Sequence, residues 1–521
     1  MRRYLEPVVA FSAVAYLALG CQNRNGFGTG GTYVAADGGT ESGPSTSAGG
    51  AGGGGTVSET SDTAPAKADP KTDLMQCNVT SDLSNPIFLA IPRARAMVTA
   101  TQVRGELAEL MPALPLPSTL RGPELLNYYH VDYPSTSATE VTVVPELHDT
   151  GISGEMALQI GIQAPLADSA HRRPTSLTVL VDTTKSMEGE SLARANAAVL
   201  ALAESLNKDD VLNVVTTDSD VAVVHRVATI AGDPALFPVK QPLTVSGAGD
   251  LGAGLERAYT AANAAESYLA GGLNRVVVIT DGGGLPESID IRLIHDRWVT
   301  ARIQLVGVGV GLAPSYRPAL LDAATSAGHG PNLYLDSVAE AEAALHLRFG
   351  EIMDEALSDV SIGFQLPTIF HVVNPNVVVA AGVGEGQLAT SDLGRGRSMV
   401  FRHAVSICPD ADPVALAQTS MTVTLSWNDP ALPDRQSKPF SFTLEQVKGQ
   451  KPSYPFLKTS AIIAFTNALQ SLEVSRFEAA CKKIAYVHAA FQSHPADPEL
   501  DSIAAQINAH PVMVNNKKTC P

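Results

Sequence analysis

Acidic and hydroxyl side chains that could bind a cation follow two apolar segments in the middle of the chain. The run VDTTKSM places Asp182, Thr184 and Ser186 two residues apart. Alternate residues of an extended segment point to the same side, so these three side chains can face one ligand. Asp281 follows the second apolar segment, in VVVITDGGG. Two carboxylates and two hydroxyls form an incomplete all-oxygen shell, which suits a divalent cation such as Mg²⁺, Mn²⁺ or Ca²⁺.

The two apolar segments, SLTVLVD and NRVVVITD, are predicted to be buried parallel strands. A hairpin turning at 218–220 is predicted between them. Helical patterns alternate with the strands, at about 189–206, 251–269, 314–327 and 338–357. This alternation predicts a doubly wound α/β sheet with helices on both faces. Ligands of such sheets bind at the carboxyl ends of the strands, where the four oxygen-bearing residues are expected to meet.

These motifs resemble the von Willebrand factor A domain and its metal-ion-dependent adhesion site. The first loop of that family reads Asp-x-Ser-x-Ser, and Thr184 replaces the first Ser while keeping a hydroxyl. The third loop, an acid followed by Gly, matches Asp281 and Gly282. The resemblance implies that Asp182, Thr184, Ser186 and Asp281 hold the cation directly or through water. It also implies that an acidic side chain of a protein partner could complete the shell.

The second loop departs from the family's pattern. The family usually has a Thr shortly before a Gly-x-Gly-Leu helix start, whereas SGAGDLGAGL has Gly249 at that place. The neighbouring Asp250 could supply a carboxylate directly or through water. The departure puts the metal affinity in question more than the fold, and it leaves open a metal-independent scaffold.

Regions on both sides of the A domain are similar to a bacterial family of secreted A-domain proteins. The similarity includes LRGPELLNYYHVDYP at 120–134 and the later GVGVG, and it covers most of residues 85–480. After residue 358, short segments rich in β-branched and aromatic residues predict a β-sandwich. Strands from 140–165 are expected to join the same sandwich, so that the A domain is an insertion in it. Residues 454–509 return to helical patterns.

The sequence supports two enzymatic interpretations, a dinucleotide-binding enzyme and an aspartyl phosphatase, less well than it supports an A domain. GAGDLG at 247–252 satisfies the G-x-G-x-x-G pattern of a dinucleotide-binding loop, but the preceding FPVKQPLTV is a poor buried strand and no acid follows at the right distance. An aspartyl phosphatase needs a second acid two residues after Asp182, where Thr184 stands. The sequence contains no GxSxG, GxxxxGK[ST] or HExxH motif. We therefore expect a binding protein and not an enzyme, with a nucleotide-binding or hydrolytic envelope enzyme as the alternative.

The N-terminus predicts export and lipid attachment. Arg2 and Arg3 precede a short apolar run that leads to Cys21 in YLALGC. This arrangement resembles the bacterial lipoprotein processing site, in which the cysteine receives the lipid. Gln22, in place of Asp, favours the outer membrane by the same resemblance. An ordinary cleaved signal with an incidental cysteine is the alternative.

Composition bounds the partners and the redox state. A formal net charge of −17 excludes a generally basic nucleic-acid binder. The Gly- and Ser-rich stretch at 22–72 predicts a flexible spacer. Besides Cys21, four cysteines are left for an oxidising compartment, where three pairings are possible. We favour Cys481 with Cys520, and free buried thiols are the alternative.

The predicted organisation has six parts: a lipoprotein signal (1–21), the spacer (22–72), an A-domain-associated N-terminal region (73–173), the A domain (174–358), a β-sandwich region (359–450) and a helical C-terminal region (451–521). The expected function is protein–protein interaction or adhesion at the bacterial cell envelope. The protein would be lipid-anchored at the outer membrane.

Overall fold

The computed structural model of the chain describes residues 87–89, 98–108, 120, 122–134, 140–149, 155–166, 172–207, 209–217, 225–228, 242–246, 249–282, 289–312, 316, 318–365, 367, 369–372, 378–379, 391–408, 419–429, 434–449, 451–473, 478–483, 485, 497–510 and 513–514. The predicted signal with Cys21, the predicted spacer and the predicted turn at 218–220 lie outside these residues. Within the described ranges, no helix has both the length and the apolar character needed to cross a membrane.

The described strands are β1 (Ile87–Leu89), β2 (Thr142–Asp149), β3 (Glu155–Gln163), β4 (Thr175–Val181), β5 (Val211–Thr216), β6 (His225–Ala228), β7 (Leu273–Thr280), β8 (Gln304–Gly309), β9 (Asn332–Tyr334), β10 (Glu355–Gln365), β11 (Phe370–Val372), β12 (Val378–Val379), β13 (Ser391–Gly394), β14 (Ser398–Ile407), β15 (Ser420–Asn428) and β16 (Gln436–Thr443). The described α-helices are α1 (Thr99–Ala108), α2 (Gly122–Tyr128), α3 (Glu190–Glu204), α4 (Leu251–Ala262), α5 (Ile291–Ala301), α6 (Ala319–Gly328), α7 (Val338–Glu342), α8 (Phe349–Met353), α9 (Leu444–Lys448), α10 (Tyr454–Glu473) and α11 (Pro498–Ala509).

A mostly parallel sheet forms the centre of the A domain. Its strand order is β6-β5-β4-β7-β8-β9, and only β6 runs antiparallel to its neighbour within the described sheet. The predicted hairpin is confirmed by the pairing of β5 with β6. Every residue of β4, β7 and β8 is buried, because helices cover both faces of the sheet. The predicted doubly wound α/β class is therefore confirmed.

Alternate residues of β4 supply the cores on the two faces of the sheet. Leu177 and Val179 pack in a cluster with α3 and the segment from α7 to α8. Leu180 packs in the other cluster, with α4 and α6. Burying each such side chain contributes about 1.5–3 kcal/mol, so the sheet is a rigid base for the loops at its ends.

Two predicted helices end several residues earlier in the structure than the sequence pattern indicates. The helix from Leu251 ends at Ala262. Leu269, at the end of the predicted range, lies in a loop, where the side chain of Asn274 binds both its N–H and its C=O, each at 2.9 Å. The helix from Val338 contains a π-helical segment (Ala343–Leu347) and ends at Met353. Its expected continuation to 357 is wrong, since those residues pair in β10 with β13.

The β-sandwich contains strands from both sides of the A domain. One sheet has the order β12-β1-β10-β15-β16 with β13 beside β10, and the other has the order β11-β14-β3-β2. β3 precedes the A domain and pairs with β14, which follows it, from Glu155↔Ser406 to Gln163↔Ser398. Apolar side chains of both sheets share one core. The expectation that the A domain is inserted into a shared sandwich is confirmed.

Charged groups join the A domain to the sandwich at the amino ends of the parallel strands. Asp354, between α8 and β10, is fully buried. Its Oδ1 accepts from Arg173 Nη2 at 2.7 Å, and its Oδ2 accepts from Arg395 Nε at 3.0 Å. Arg275, on β7, donates to the C=O of Met353 at 3.0 Å. We call the side chains of Arg173, Arg275, Asp354 and Arg395 and the C=O of Met353, together with Glu355, the base junction.

Helices from both ends of the chain pack against the A domain. Residues of α1, α2, α10 and α11 belong to the same core cluster as α3. Arg104 of α1 makes ion pairs with Asp336 and Glu340, both at 2.6 Å, and Tyr128 also donates to Glu340. The helical C-terminal region is thus a layer on the A domain and not a separate unit.

Cys408 and Cys481 are both disulfide-bonded. The expectation of free buried thiols is therefore wrong for these two residues. Cys77 and Cys520 lie outside the described residues, so the pairing of Cys481 with Cys520 stays a prediction.

Candidate functional site

The oxygen-bearing residues lie at one edge of the sheet because three neighbouring strands end there in register. Val181 of β4 is opposite Thr216 of β5 and Ile279 of β7. The N–H of Asp182 continues this pairing and donates to the C=O of Ile279 at 2.9 Å. Asp182 and Asp281 therefore both follow the carboxyl ends of adjacent parallel strands, as the sequence predicts.

Asp182 is held through its carboxylate by three hydrogen bonds. It is only 5 % exposed. Its Oδ1 accepts from the N–H and the hydroxyl of Thr184, at 2.9 and 2.7 Å. Its Oδ2 accepts from the Thr280 hydroxyl at 2.8 Å. Ser186 Oγ lies 3.0 Å from Thr184 Oγ1, so three side chains of the first loop form a continuous group of oxygens.

A single turn of 3₁₀-helix fixes the first loop. It spans Lys185–Met187, and the N–H of Met187 donates to the C=O of Thr184 at 3.0 Å. The Met187 side chain is fully buried and anchors the turn, whereas Ser186 is exposed. The burial of one residue in this turn therefore keeps its neighbour at the surface, where a ligand can reach it.

Thr280 connects the first and third loops, although it is not among the predicted cation ligands. Its hydroxyl donates to Asp182 and accepts from the N–H of Gly282 at 3.2 Å. Gly282 has a φ of 76°, which favours glycine and turns the chain directly after Asp281. A hydroxyl on the last residue of a buried strand that precedes an acid was the available signal.

The side chain of Thr217 packs against the second loop at Gly249. A Cβ at Gly249 would lie 2.6 Å from Oγ1 of Thr217, which directly follows β5. That Oγ1 accepts from the N–H of Thr183 at 2.9 Å and lies 3.2 Å from the Thr183 hydroxyl. Glycine at 249 is therefore a steric consequence of Thr217, whose hydroxyl is already engaged within the fold.

Asp250 has a helix-capping role. Its Oδ1 accepts from the N–H groups of Gly252 and Ala253, at 2.8 and 3.2 Å, and so begins α4. The expectation that Asp250 contributes to a cation is not supported by these contacts. The cap also places a carboxylate where a dinucleotide-binding loop would hold a pyrophosphate, which argues against that alternative.

The donor set fits a hard divalent cation. The side chains that meet at the first loop offer only carboxylate and hydroxyl oxygens, which Mg²⁺, Mn²⁺ and Ca²⁺ accept. Within the described ranges, no group of three or more His, Cys, Asp or Glu could hold a metal ion. A cation here would have to rely on hydroxyls and waters besides the carboxylates of Asp182 and Asp281.

Comparison with known proteins assigns the region that contains this site. Residues 177–283 match the family described as von Willebrand factor type A domain. The uncharacterized protein YfbK of Escherichia coli (strain K12) is 25% identical over 262 residues, which cover 47% of this chain and 45% of that protein. An uncharacterized protein of Synechocystis sp. is 22% identical over 221 residues, which cover 42% of this chain and 51% of that protein. The chain thus spans about half the length of these relatives.

The solved structures that this chain resembles have lower sequence identities. A von Willebrand factor type A protein from Catenulispora acidiphila is 13% identical with a TM-score of 0.41, over 72% of this chain and 91% of that one. The pilus adhesin SpaC from Lactobacillus rhamnosus GG, in its open conformation, is 10% identical with a TM-score of 0.30, over 60% of this chain and 48% of that one.

Proposed function

We propose that this chain, which contains a von Willebrand factor type A domain at residues 177–283, is a cell-envelope lipoprotein that binds a protein partner through a divalent cation. Domains of this type generally mediate protein–protein interaction or adhesion. The observation that carries the proposal is the group of oxygens formed by Asp182, Thr184 and Ser186 at the carboxyl end of the sheet, with separations of 2.7 and 3.0 Å.

Each residue of the site would have its own role in binding the cation. Asp182 and Asp281 supply negative charge, and Thr184 and Ser186 supply hydroxyl oxygens on the exposed side. Thr280 keeps the Asp182 carboxylate oriented through its 2.8 Å hydrogen bond. A bound cation would supply a positive centre that a carboxylate of the partner can approach. An acidic segment of a protein is therefore the proposed ligand.

Isothermal titration of the full chain with Mn²⁺ tests the metal site. We expect heat of binding and a higher melting temperature, because a ligand at 100 times its Kd adds about 2.7 kcal/mol to the free energy of unfolding. Asp182→Asn should weaken binding at least tenfold. Asp250→Asn is the matched control, since it removes a carboxylate at the same edge while Asn still caps α4. No heat and no stabilisation of the wild type would refute the metal site.

A metal-independent scaffold is the second candidate. The packing of Thr217 against Gly249 favours it, because it leaves no room for a side chain at position 249, where the family usually has a Thr. Partner capture from envelope extract, with and without a chelator, separates the two. The metal-dependent proposal requires loss of capture both with chelator and in Asp182→Asn, whereas the scaffold keeps its partner in both cases.

The lipid anchor is tested separately. Cys21→Ser should abolish incorporation of labelled fatty acid and shift the protein from the membrane fraction to the soluble one. Retention of the label would contradict attachment at Cys21.

An envelope hydrolase or a nucleotide-binding enzyme is the remaining alternative. The described residues of the site do not suggest a pair of nucleophile and general base. Turnover that is lost in Asp182→Ala would support that alternative instead.

A further inference from the structure

We infer that Arg194 and Tyr334 are positioning residues that hold Gly311 against Asp281 and thereby fix the third loop of the site. Both donate to the C=O of Gly311, Arg194 through Nη1 at 3.1 Å and Tyr334 through its hydroxyl at 2.7 Å. The role in metal binding rests on the proposed function, whereas the contacts themselves do not. Neither residue lies in the sequence motifs of the site.

Gly311 touches the backbone of the candidate ligand. A Cβ at Gly311 would lie 2.4 Å from the C=O oxygen of Asp281 and 3.3 Å from its Cα. The preceding residue, Val310, donates its N–H to the C=O of Thr280 at 2.9 Å. The segment after β8 therefore lies directly along Thr280 and Asp281, and its position limits where Asp281 can stand.

The two donors come from separate parts of the domain. Arg194 lies on α3 and is 7 % exposed, and its other terminal nitrogen, Nη2, pairs with the largely exposed Glu190 at 2.9 Å. Tyr334 lies on β9 and is 1 % exposed. Its ring packs on Tyr316 with centroids 4.6 Å apart. The carbonyl of Gly311 is thus held from two directions by side chains that are themselves fixed by packing.

We call the hydrogen bonds from Arg194 and Tyr334 to the Gly311 carbonyl the clamp. The clamp would affect a metal site by fixing the orientation of Asp281. Groups that orient metal ligands from behind change metal affinity by about 10- to 100-fold when they are removed, although they do not touch the ion. Removing the Tyr334 hydroxyl leaves one donor on the Gly311 carbonyl and frees the segment beside Asp281. Two hydrogen-bonded amides of the segments that meet here, those of Val310 and Gly282, should then open more often.

The test compares Tyr334→Phe with Tyr259→Phe in the full chain. The Tyr259 hydroxyl is also buried, and it has no hydrogen-bond partner in the described part of the structure, so its removal controls for loss of a buried hydroxyl. Amide hydrogen exchange is measured without metal, and Mn²⁺ affinity by titration. We expect Tyr334→Phe to exchange faster at Val310 and Gly282 and to bind Mn²⁺ about tenfold more weakly, and Tyr259→Phe to change neither.

The two readouts separate failure of the clamp from failure of the metal site. If the wild type binds no Mn²⁺, the proposed metal site is refuted, and exchange at Val310 and Gly282 alone decides whether the clamp exists. Unchanged exchange at both amides in Tyr334→Phe overturns the inference. If Tyr334→Phe lowers the melting temperature and leaves the Mn²⁺ affinity of a metal-binding protein unchanged, the inference is also overturned, because Tyr334 then stabilises the fold without positioning the site. Arg194→Met is the second variant and should accelerate exchange at the same amides.

Discussion

The two ends of the parallel sheet use polar groups in opposite ways. At the carboxyl end, Asp182 and Thr184 bond to groups within the A domain itself, and Ser186 is exposed. At the amino end, the base junction buries Asp354 between arginines that precede the A domain and follow it. The first end keeps oxygens available for a ligand, whereas the second uses charge to hold two units together. Substitutions should therefore separate function from stability.

The largest effect is expected at the base junction. Asp354→Ala leaves Arg173 and Arg395 without their shared carboxylate. Asp354 is buried, whereas Arg173 and Arg395 are 26% and 32% exposed, so water can solvate them once the carboxylate is gone. Each hydrogen bond to a charged group contributes about 1.5–3 kcal/mol and less where water screens it, so we expect a total loss of about 3 kcal/mol. Urea denaturation should show this loss, while Mn²⁺ affinity should stay the same in the folded protein. A loss below about 1 kcal/mol would mean that the junction is not a fixed contact.

A smaller loss is expected at the second loop. Gly249→Ala brings a Cβ within 2.6 Å of Thr217 Oγ1 and 2.9 Å of its Cβ, so it should cost about 1–3 kcal/mol as overpacking. Thr217→Gly removes both contacts. In a double-mutant cycle, the pair should be more stable than the sum of the single changes predicts. Additive losses would show that Gly249 is not explained by Thr217.

The base junction should also make stability depend on pH. Loss of hydration, with the charge of Asp392 next, raises the pKa of Glu355 to about 8 from 4.5. Between these values the unfolded chain ionises Glu355 and the native protein keeps it protonated, so the free energy of unfolding falls as pH rises from about 4.5 to about 8 and levels off above that. Because the residue is partly exposed, we expect about 1 kcal/mol. Glu355→Gln should flatten this part of the stability profile in denaturation from pH 4 to 9; identical profiles would contradict the prediction.

The smallest effect on stability is expected at the exposed side of the site. Ser186→Ala removes one hydroxyl–hydroxyl contact of 3.0 Å at the surface, and such changes stay within about 0.5 kcal/mol. Mn²⁺ affinity should nevertheless fall if Ser186 is a ligand. A stability loss without a change in affinity would reverse the proposed contrast between the two ends of the sheet.

Much of the architecture follows from local pattern. Continuous apolar runs predict β4 and β7, and the acid after each run predicts the edge at which Asp182 and Asp281 lie. The ends of the helices are harder to predict from the sequence than the strands are. Leu269, which the pattern places in a helix, lies in a loop and is bound by the side chain of Asn274, and residues 355–357 pair with β13 in a strand. Both outcomes depend on residues that are distant from the helix or outside its own pattern.

The sequence by itself determines the parallel sheet, the sandwich strands and the order of the candidate ligands, because periodicity and strand-end chemistry are local properties. Only the tertiary structure decides how those ligands are supported. Thr217 explains Gly249, Thr280 joins two loops, and Arg194 and Tyr334 reach Gly311 from 117 and 23 residues away. Contacts of this kind depend on which strands and helices become neighbours, and that is fixed by packing of the whole domain.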